Sequence, residues 1–269
     1  MGLWYRIMTP RPQARRRLLI LPHAAGGPAY YRDWVGKVPA DCELVVLQLP
    51  GREARWGEPP LTRMDSLMAS LQRELSGLWS LPVSLFGHSL GAIIAYELAR
   101  RFPVEQLIVA GARAPLLPHD HSTLHQLPAP ALRQVLQRLG GTPIEVLAND
   151  EMFGLLLPAM RADLELLETY VHRPGPSLDI PLHVFGGFLD ERTPLIDLPL
   201  WRSCTRGETQ IEARPGGHFF SQSAARMLLS SLSPASAQEG PAPSADLHII
   251  RLDRDPHIVS ACRGWLDDS

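Results

Sequence analysis

Apolar residues along the chain gather into short runs closed by glycine and proline. Residues 17–21 (RLLIL) run into Pro22, and 43–48 (ELVVLQ) run into Leu49-Pro50-Gly51. Further runs occupy 82–86 (PVSLF), 106–110 (QLIVA) and 182–186 (LHVFG), with a weaker one at 209–213 (TQIEA). Runs of this length, apolar on successive residues, predict strands buried on both faces of a parallel sheet. Helical patterns at 64–79, 90–102, 197–204 and 219–232 separate them. Alternation of strand and helix predicts an α/β layer architecture: a mostly parallel central sheet flanked by helices.

About 70 residues lie between the runs at 106–110 and 182–186, too many for one crossover. They carry helical patterns at 130–139 and 151–172. In the second, Leu156, Met160, Leu164, Leu167 and Val171 recur at three- and four-residue spacing as one apolar stripe, with Asp163, Glu165 and Glu168 off it. This predicts a helical lid inserted at about 112–178 and laid over the sheet, its stripe facing either an acyl chamber or the core beside it. The segment 233–245 (SPASAQEGPAPSA) has linker composition, and 246–252 (DLHIIRL) reads as a further strand. Residues 1–233 are thus expected to form the domain and 234–269 a linker-like extension.

Composition narrows the function classes. A formal net charge of −2 argues against a nucleic-acid binder. Cys42, Cys204 and Cys262 are widely separated, with neither zinc-site spacing nor a disulfide framework, which points to a reducing compartment. No apolar run nears the roughly 20 residues of a transmembrane helix, and the N-terminus has no secretory pattern. A cytoplasmic protein without a membrane partner is expected.

The strongest chemical signal is Gly87-His88-Ser89-Leu90-Gly91, which follows a predicted strand and opens a predicted helix. That context defines a nucleophile elbow, in which glycines permit a crowded turn and the serine hydroxyl is pushed outward. A serine nucleophile needs a base oriented by a third group, and this fold supplies them in the order serine, acid, histidine. Asp190 follows the strand at 182–186 and His218 follows that at 209–213, both at carboxyl ends, where open α/β sheets build their sites. Glu191 is the direct rival of Asp190 for the acid, and Asp163 a more distant one. His23 and His88 flank the serine but fit base duty poorly, and His183 within a strand reads as structural. His119, Asp120, His121 and His125 are metal-ligand types with no supporting second cluster, so a solvated loop is expected there. Neither a metal nor a cofactor is expected. The small-residue loop 22–27 (PHAAGG) lets backbone N–H groups approach a substrate oxyanion, and the Leu90 N–H is the expected second donor.

These segments together resemble the type II thioesterases of nonribosomal peptide and polyketide assembly lines. The resemblance is carried by PHAAGG (22–27), LPGREARWGEP (49–59), LFGHSLGAIIAYELA (85–99), LGGTPIEVL (139–147), LLLPAMRADLELLETY (155–170), HVFGG (183–187) and GGHFF (216–220). They run in order over roughly four-fifths of the chain, and LGGTP and the long 155–170 segment are the most specific. The resemblance implies an α/β-hydrolase with a helical lid that clears acyl or aminoacyl groups from the phosphopantetheine arm of carrier proteins. It implies Ser89 as nucleophile, Asp190 as acid, His218 as base, and Ala24 with Leu90 as oxyanion donors. Ala25 departs from the family pattern, which has glycine after the donor alanine. The tail after about residue 233 has no counterpart in that pattern. A monomer with carrier domains as partners is expected. Other readings are a fatty-acid chain-terminating thioesterase, a carboxylesterase, an acyltransferase or cyclase, and a non-catalytic partner of a synthetase; one fold serves many reactions.

Overall fold

All six expected runs form strands, within two residues of their predicted bounds. The computed structural model describes residues 4–117, 123–220, 229, 232 and 250–251. Its strands are β1 (Tyr5–Ile7), β2 (Arg16–Leu21), β3 (Cys42–Leu47), β4 (Val83–His88), β5 (Gln106–Ala110), β6 (Leu182–Gly187), β7 (Thr209–Arg214) and β8 (Ile250–Arg251). They make one sheet in the order β1-β3-β2-β4-β5-β6-β7-β8. Pairs from β3 through β7 are parallel, and the two outermost pairs, β1 with β3 and β7 with β8, are antiparallel. β1 escapes the sequence pattern because it is three residues of mixed polarity at a sheet edge. β8 falls inside the strand expected at 246–252. The linker at 233–245 and most of the helix expected at 219–232 lie outside the described residues.

Both faces of the sheet are covered, as the continuous apolar runs require. Leu19, Leu21, Val45, Leu47, Leu85, Leu107, Val109 and Val184 pack on one side with α1 (Met64–Glu74) and α2 (Leu90–Ala99). The alternate residues Leu18, Ile20, Leu44, Val46, Phe86, Ile108 and Phe185 pack on the other with Tyr31, Trp34 and Phe220. This is the two-residue period of a strand read out twice. α1 stops short of its expected end, and residues Ser76–Ser80 tighten into a 3-10 turn containing Gly77. The helix expected at 197–204 is a 3-10 segment, Leu195–Cys204, with Pro199 inside it; a proline has no N–H to donate to a helical ladder. No helix among the described residues is long and apolar enough to cross a membrane.

The insertion between β5 and β6 is helical: α3 (Ala129–Leu139), α4 (Ile144–Ala148) and α5 (Asp150–Glu168). Leu132, Leu136, Leu147, Phe153 and Met160 form its own small core. One expectation for the stripe needs correction. α5 ends at Glu168, so Val171 lies beyond it and is 76% exposed. Asp163 lies off the apolar stripe yet is buried, because Arg52 reaches it from the main domain.

Candidate active site

The elbow is forced by close approach. A Cβ on Gly91 would sit 1.9 Å from the Leu21 carbonyl oxygen, and one on Gly87 would sit 2.3 Å from the Gly91 oxygen. Glycine at both positions lets α2 start directly against the end of β2. Ser89 takes φ 55° and ψ −119°, a conformation costly for any residue with a Cβ, and its N–H donates to Ala110 O at 2.9 Å. Leu90 is fully buried as the first residue of α2, where an N–H has no intrahelical acceptor.

Two loops at the carboxyl ends of β6 and β7 bring in the partners. His218 Nδ1 lies 2.8 Å from Asp190 Oδ2, and His218 Nε2 lies 2.9 Å from Ser89 Oγ. A carboxylate can only accept, so Nδ1–H donates to Asp190, which leaves Nε2 bare to receive the Ser89 hydroxyl proton. Asp190 is 6% exposed. Its other oxygen accepts the N–H groups of Arg192 and Thr193 at 2.9 and 3.2 Å. Burial pushes the Asp190 carboxyl up, but the hydrogen bond and charge of His218 and these two backbone donors outweigh it. The net result lies below the ordinary carboxylate value. Glu191 is exposed, and Asp163 pairs with Arg52 rather than with His218. Of the three candidate acids, only Asp190 meets the imidazole.

The other histidines also find places. His88 Nε2–H donates to the His218 carbonyl at 2.8 Å and so anchors the loop that carries His218. His23 Nδ1–H donates to Ala24 O at 3.0 Å, and its ring meets Phe219 edge-on at a centroid distance of 4.8 Å. Burial drives the His23 pKa down to about 4 and that of His88 well below its ordinary value. His183 is buried within β6. His119, Asp120 and His121 lie outside the described residues, while His125 pairs with Glu168 of α5. No metal-binding group of side chains is found among the described residues.

Ser89 and His218 open onto a cavity of about 140 Å³. Its other walls include Ala24, Leu136 and Leu139 of α3, and Met160, Leu164 and Leu167 of α5. Three members of the predicted stripe thus face the cavity, while Leu156 packs into the cap core. Met160 does both, lining the cavity and packing among Leu132, Leu136 and Phe153. Met160→Trp is therefore expected to cut turnover of long acyl thioesters more than of acetyl. Overpacking should also lower stability, by about 1–3 kcal/mol. Chain-length profile and melting temperature, measured together, check both halves. Sequence reasoning missed Arg52, which is 5% exposed and lies in the LPGREARWGEP segment. The available signal is an arginine directly after a Pro-Gly turn at a strand's carboxyl end.

Comparison with known proteins bears on the fold and the family. Thioesterase PikA5 of Streptomyces venezuelae is 38% identical over 226 residues, covering 81% of this chain and 80% of that protein. Gramicidin S biosynthesis protein GrsT of Aneurinibacillus migulanus is 35% identical over 224 residues, covering 81% and 87%. The solved structure of BorB, a type II thioesterase from the borrelidin biosynthetic cluster, superposes with a TM-score of 0.80 at 34% identity, covering 86% of this chain and 96% of that one. These relatives and the sheet topology identify an α/β-hydrolase fold. The family model for the thioesterase domain matches residues 16–234, and the chain belongs to that family, as a hydrolase acting on thioesters and a relative of the type II thioesterases of polyketide and nonribosomal peptide clusters.

Proposed function

We propose that this thioesterase removes acyl or aminoacyl groups from the phosphopantetheine arm of carrier proteins, editing misprimed or stalled synthetase modules. The observation that carries the reading is the Ser89–His218–Asp190 chain, with spacings of 2.9 and 2.8 Å, opening onto an apolar cavity. His218 Nε2 takes the Ser89 proton as Oγ attacks the thioester carbonyl. Asp190 holds the imidazole in the required tautomer and stabilises the imidazolium. The N–H groups of Ala24 and Leu90 receive the oxyanion. The carbon–sulfur bond breaks, the pantetheine sulfur takes the proton from His218, and an acyl-enzyme is left. Water, deprotonated by the same imidazole, then attacks that ester, and Ser89 recovers its proton as the acid leaves.

The α3–α5 insertion is read as a lid that admits the arm and its acyl group while the carrier stays outside. Residues 1–233 form the hydrolase and 234–269 an extension that, among the described residues, adds only the edge strand β8 to its sheet, a division supported by the family match ending at 234. Buried free thiols at Cys42 and Cys204 are consistent with a cytoplasmic location. The chain is read as a monomer, and elution of the purified chain as a dimer would contradict that. The test is a panel of acyl-loaded carrier proteins set against the same acyl groups as simple oxygen esters. It is run with the full chain and with a chain ending at Ser233. Both chains should release free acid from carriers, in preference to esters and only with Ser89 present. Preference for oxygen esters, or transfer of the acyl group to an acceptor other than water detected by mass, would overturn the reading. Loss of activity in the shortened chain alone would overturn only the division.

A further inference from the structure

The loop that carries Ala24 is held by an ion pair that the hydrolytic scheme does not use. Arg52 lies just beyond the carboxyl end of β3, and its guanidinium grips the carboxylate of Asp163 on α5 at 2.6 and 2.9 Å. Both are buried, at 5% and 1% exposure. The Asp163 oxygen that receives Arg52 Nη1 also accepts the backbone N–H of Ala25, at 2.6 Å. Arg52 Nη1 further approaches the Gly26 carbonyl at 3.4 Å, and Glu53 accepts the N–H of Ala29 at 2.9 Å. Residues 52–53 and α5 together brace the loop at Ala25 and Gly26 and the turn that follows it at Ala29.

Ala25 needs such bracing. Its φ is 57°, in the left-handed region that costs a residue with a Cβ about 1–2 kcal/mol. Glycine would sit there freely; alanine must be held. The peptide joining Ala24 to Ala25 is pinned on both sides, its carbonyl by His23 Nδ1–H and its N–H by Asp163. Pinning that plane fixes the backbone of Ala24, and with it the direction of the Ala24 N–H. Ala24 and Ala25 also pack against the cap core.

We propose that Asp163, locked by Arg52, is a positioning residue for the oxyanion loop, so that the Ala24 N–H is aimed only while α5 is seated on the domain. This rests on the Ser89 hydrolytic reading above. The test is Arg52→Met/Asp163→Leu, which replaces a buried ion pair by apolar groups of similar volume, a change that is often neutral or stabilising to the fold. Melting temperature, kcat and KM on a small acyl thioester, and affinity for a matching trifluoromethyl ketone are measured on each protein. The ketone forms a tetrahedral adduct with the serine and so reads the oxyanion hole directly. The double variant should melt within a few degrees of the wild type. Its kcat should fall by about 10–100-fold with KM little changed, less than the 10²–10³ of deleting a donor outright. Ketone affinity should fall by the same factor as kcat/KM. A folded double variant with wild-type kcat, or a loss confined to KM with unchanged ketone affinity, overturns the proposal. If the double variant does not fold, Asp163→Asn is measured in its place. Its amide offers one acceptor oxygen to N–H groups that now share two, and the same pattern at smaller amplitude is expected; unchanged kcat and ketone affinity again overturn the proposal. Ser89→Ala in the same assay separates the two levels. Turnover that survives it defeats the hydrolytic reading itself, whereas Ser89-dependent turnover indifferent to Asp163 defeats only the positioning role.

Discussion

Ser89→Ala is expected to leave a folded protein that forms no acyl-enzyme, with kcat reduced by a factor on the order of 10⁶. Alanine suits the fold because what the turn demands is met by Gly87 and Gly91, whose absent Cβ atoms admit the Leu21 and Gly91 carbonyls. The alanine loses only the hydroxyl that His218 faces at 2.9 Å. The melting temperature should hold within a few degrees. A serine-directed phosphonate should label the wild type at one site, mapped by mass to Ser89, and should leave the variant unlabelled. His218→Ala should cost a similar factor, and combining the two should add little, since members of one catalytic unit are not additive. Labelling elsewhere in the chain, or turnover surviving the alanine, would contradict the assignment.

The second large effect separates two adjacent carboxylates. Asp190→Asn should lower kcat by up to about 10⁴, while Glu191→Gln should leave it within a few-fold of wild type. The amide at 190 can offer its NH₂ to His218 Nδ1, which turns the imidazole to the tautomer with its proton on Nε2. That nitrogen then cannot take the Ser89 proton. Asp190 is buried and fully engaged, with His218 on one oxygen and the N–H groups of Arg192 and Thr193 on the other. Its pKa is held below the ordinary carboxylate value, so it remains charged at neutral pH. Glu191 is exposed. Steady-state kinetics of the two variants decide the matter, and the reverse ranking would move the acid to Glu191.

The parts of the fold legible in the sequence are those that a local pattern dictates. Leu18 to Leu21 and Leu44 to Leu47 are apolar on successive residues because both faces of the sheet are covered. Ser89, Asp190 and His218 each stand just past a strand end, where the pattern changes from apolar run to turn. β1 is invisible because a three-residue edge strand with two exposed positions carries no periodic signal. The sequence shows Asp163 only as a residue off the apolar stripe of α5, because helical periodicity sees only its own helix. Its partner, Arg52, lies 111 residues earlier in the chain, and no local pattern announces a contact across that span. The same applies to Ala25, visible in the sequence as a departure from glycine, while the carboxylate that restrains it is visible only in three dimensions.

The histidine cluster beneath the triad bears on the charge that appears during each turnover. In the proposed mechanism His218 takes the Ser89 proton, and a cation forms about 5.4 Å from the His88 ring. A second imidazolium at that distance would repel it by about 3 kcal/mol at an effective dielectric constant near 20, enough to slow the step by roughly a hundredfold. Burial removes that penalty by keeping both His23 and His88 electrically silent across the physiological range. On the proposed mechanism the proton carrier thus stands among rings of the same chemical type, yet only one of them changes charge, and a single proton per half-reaction has one place to go.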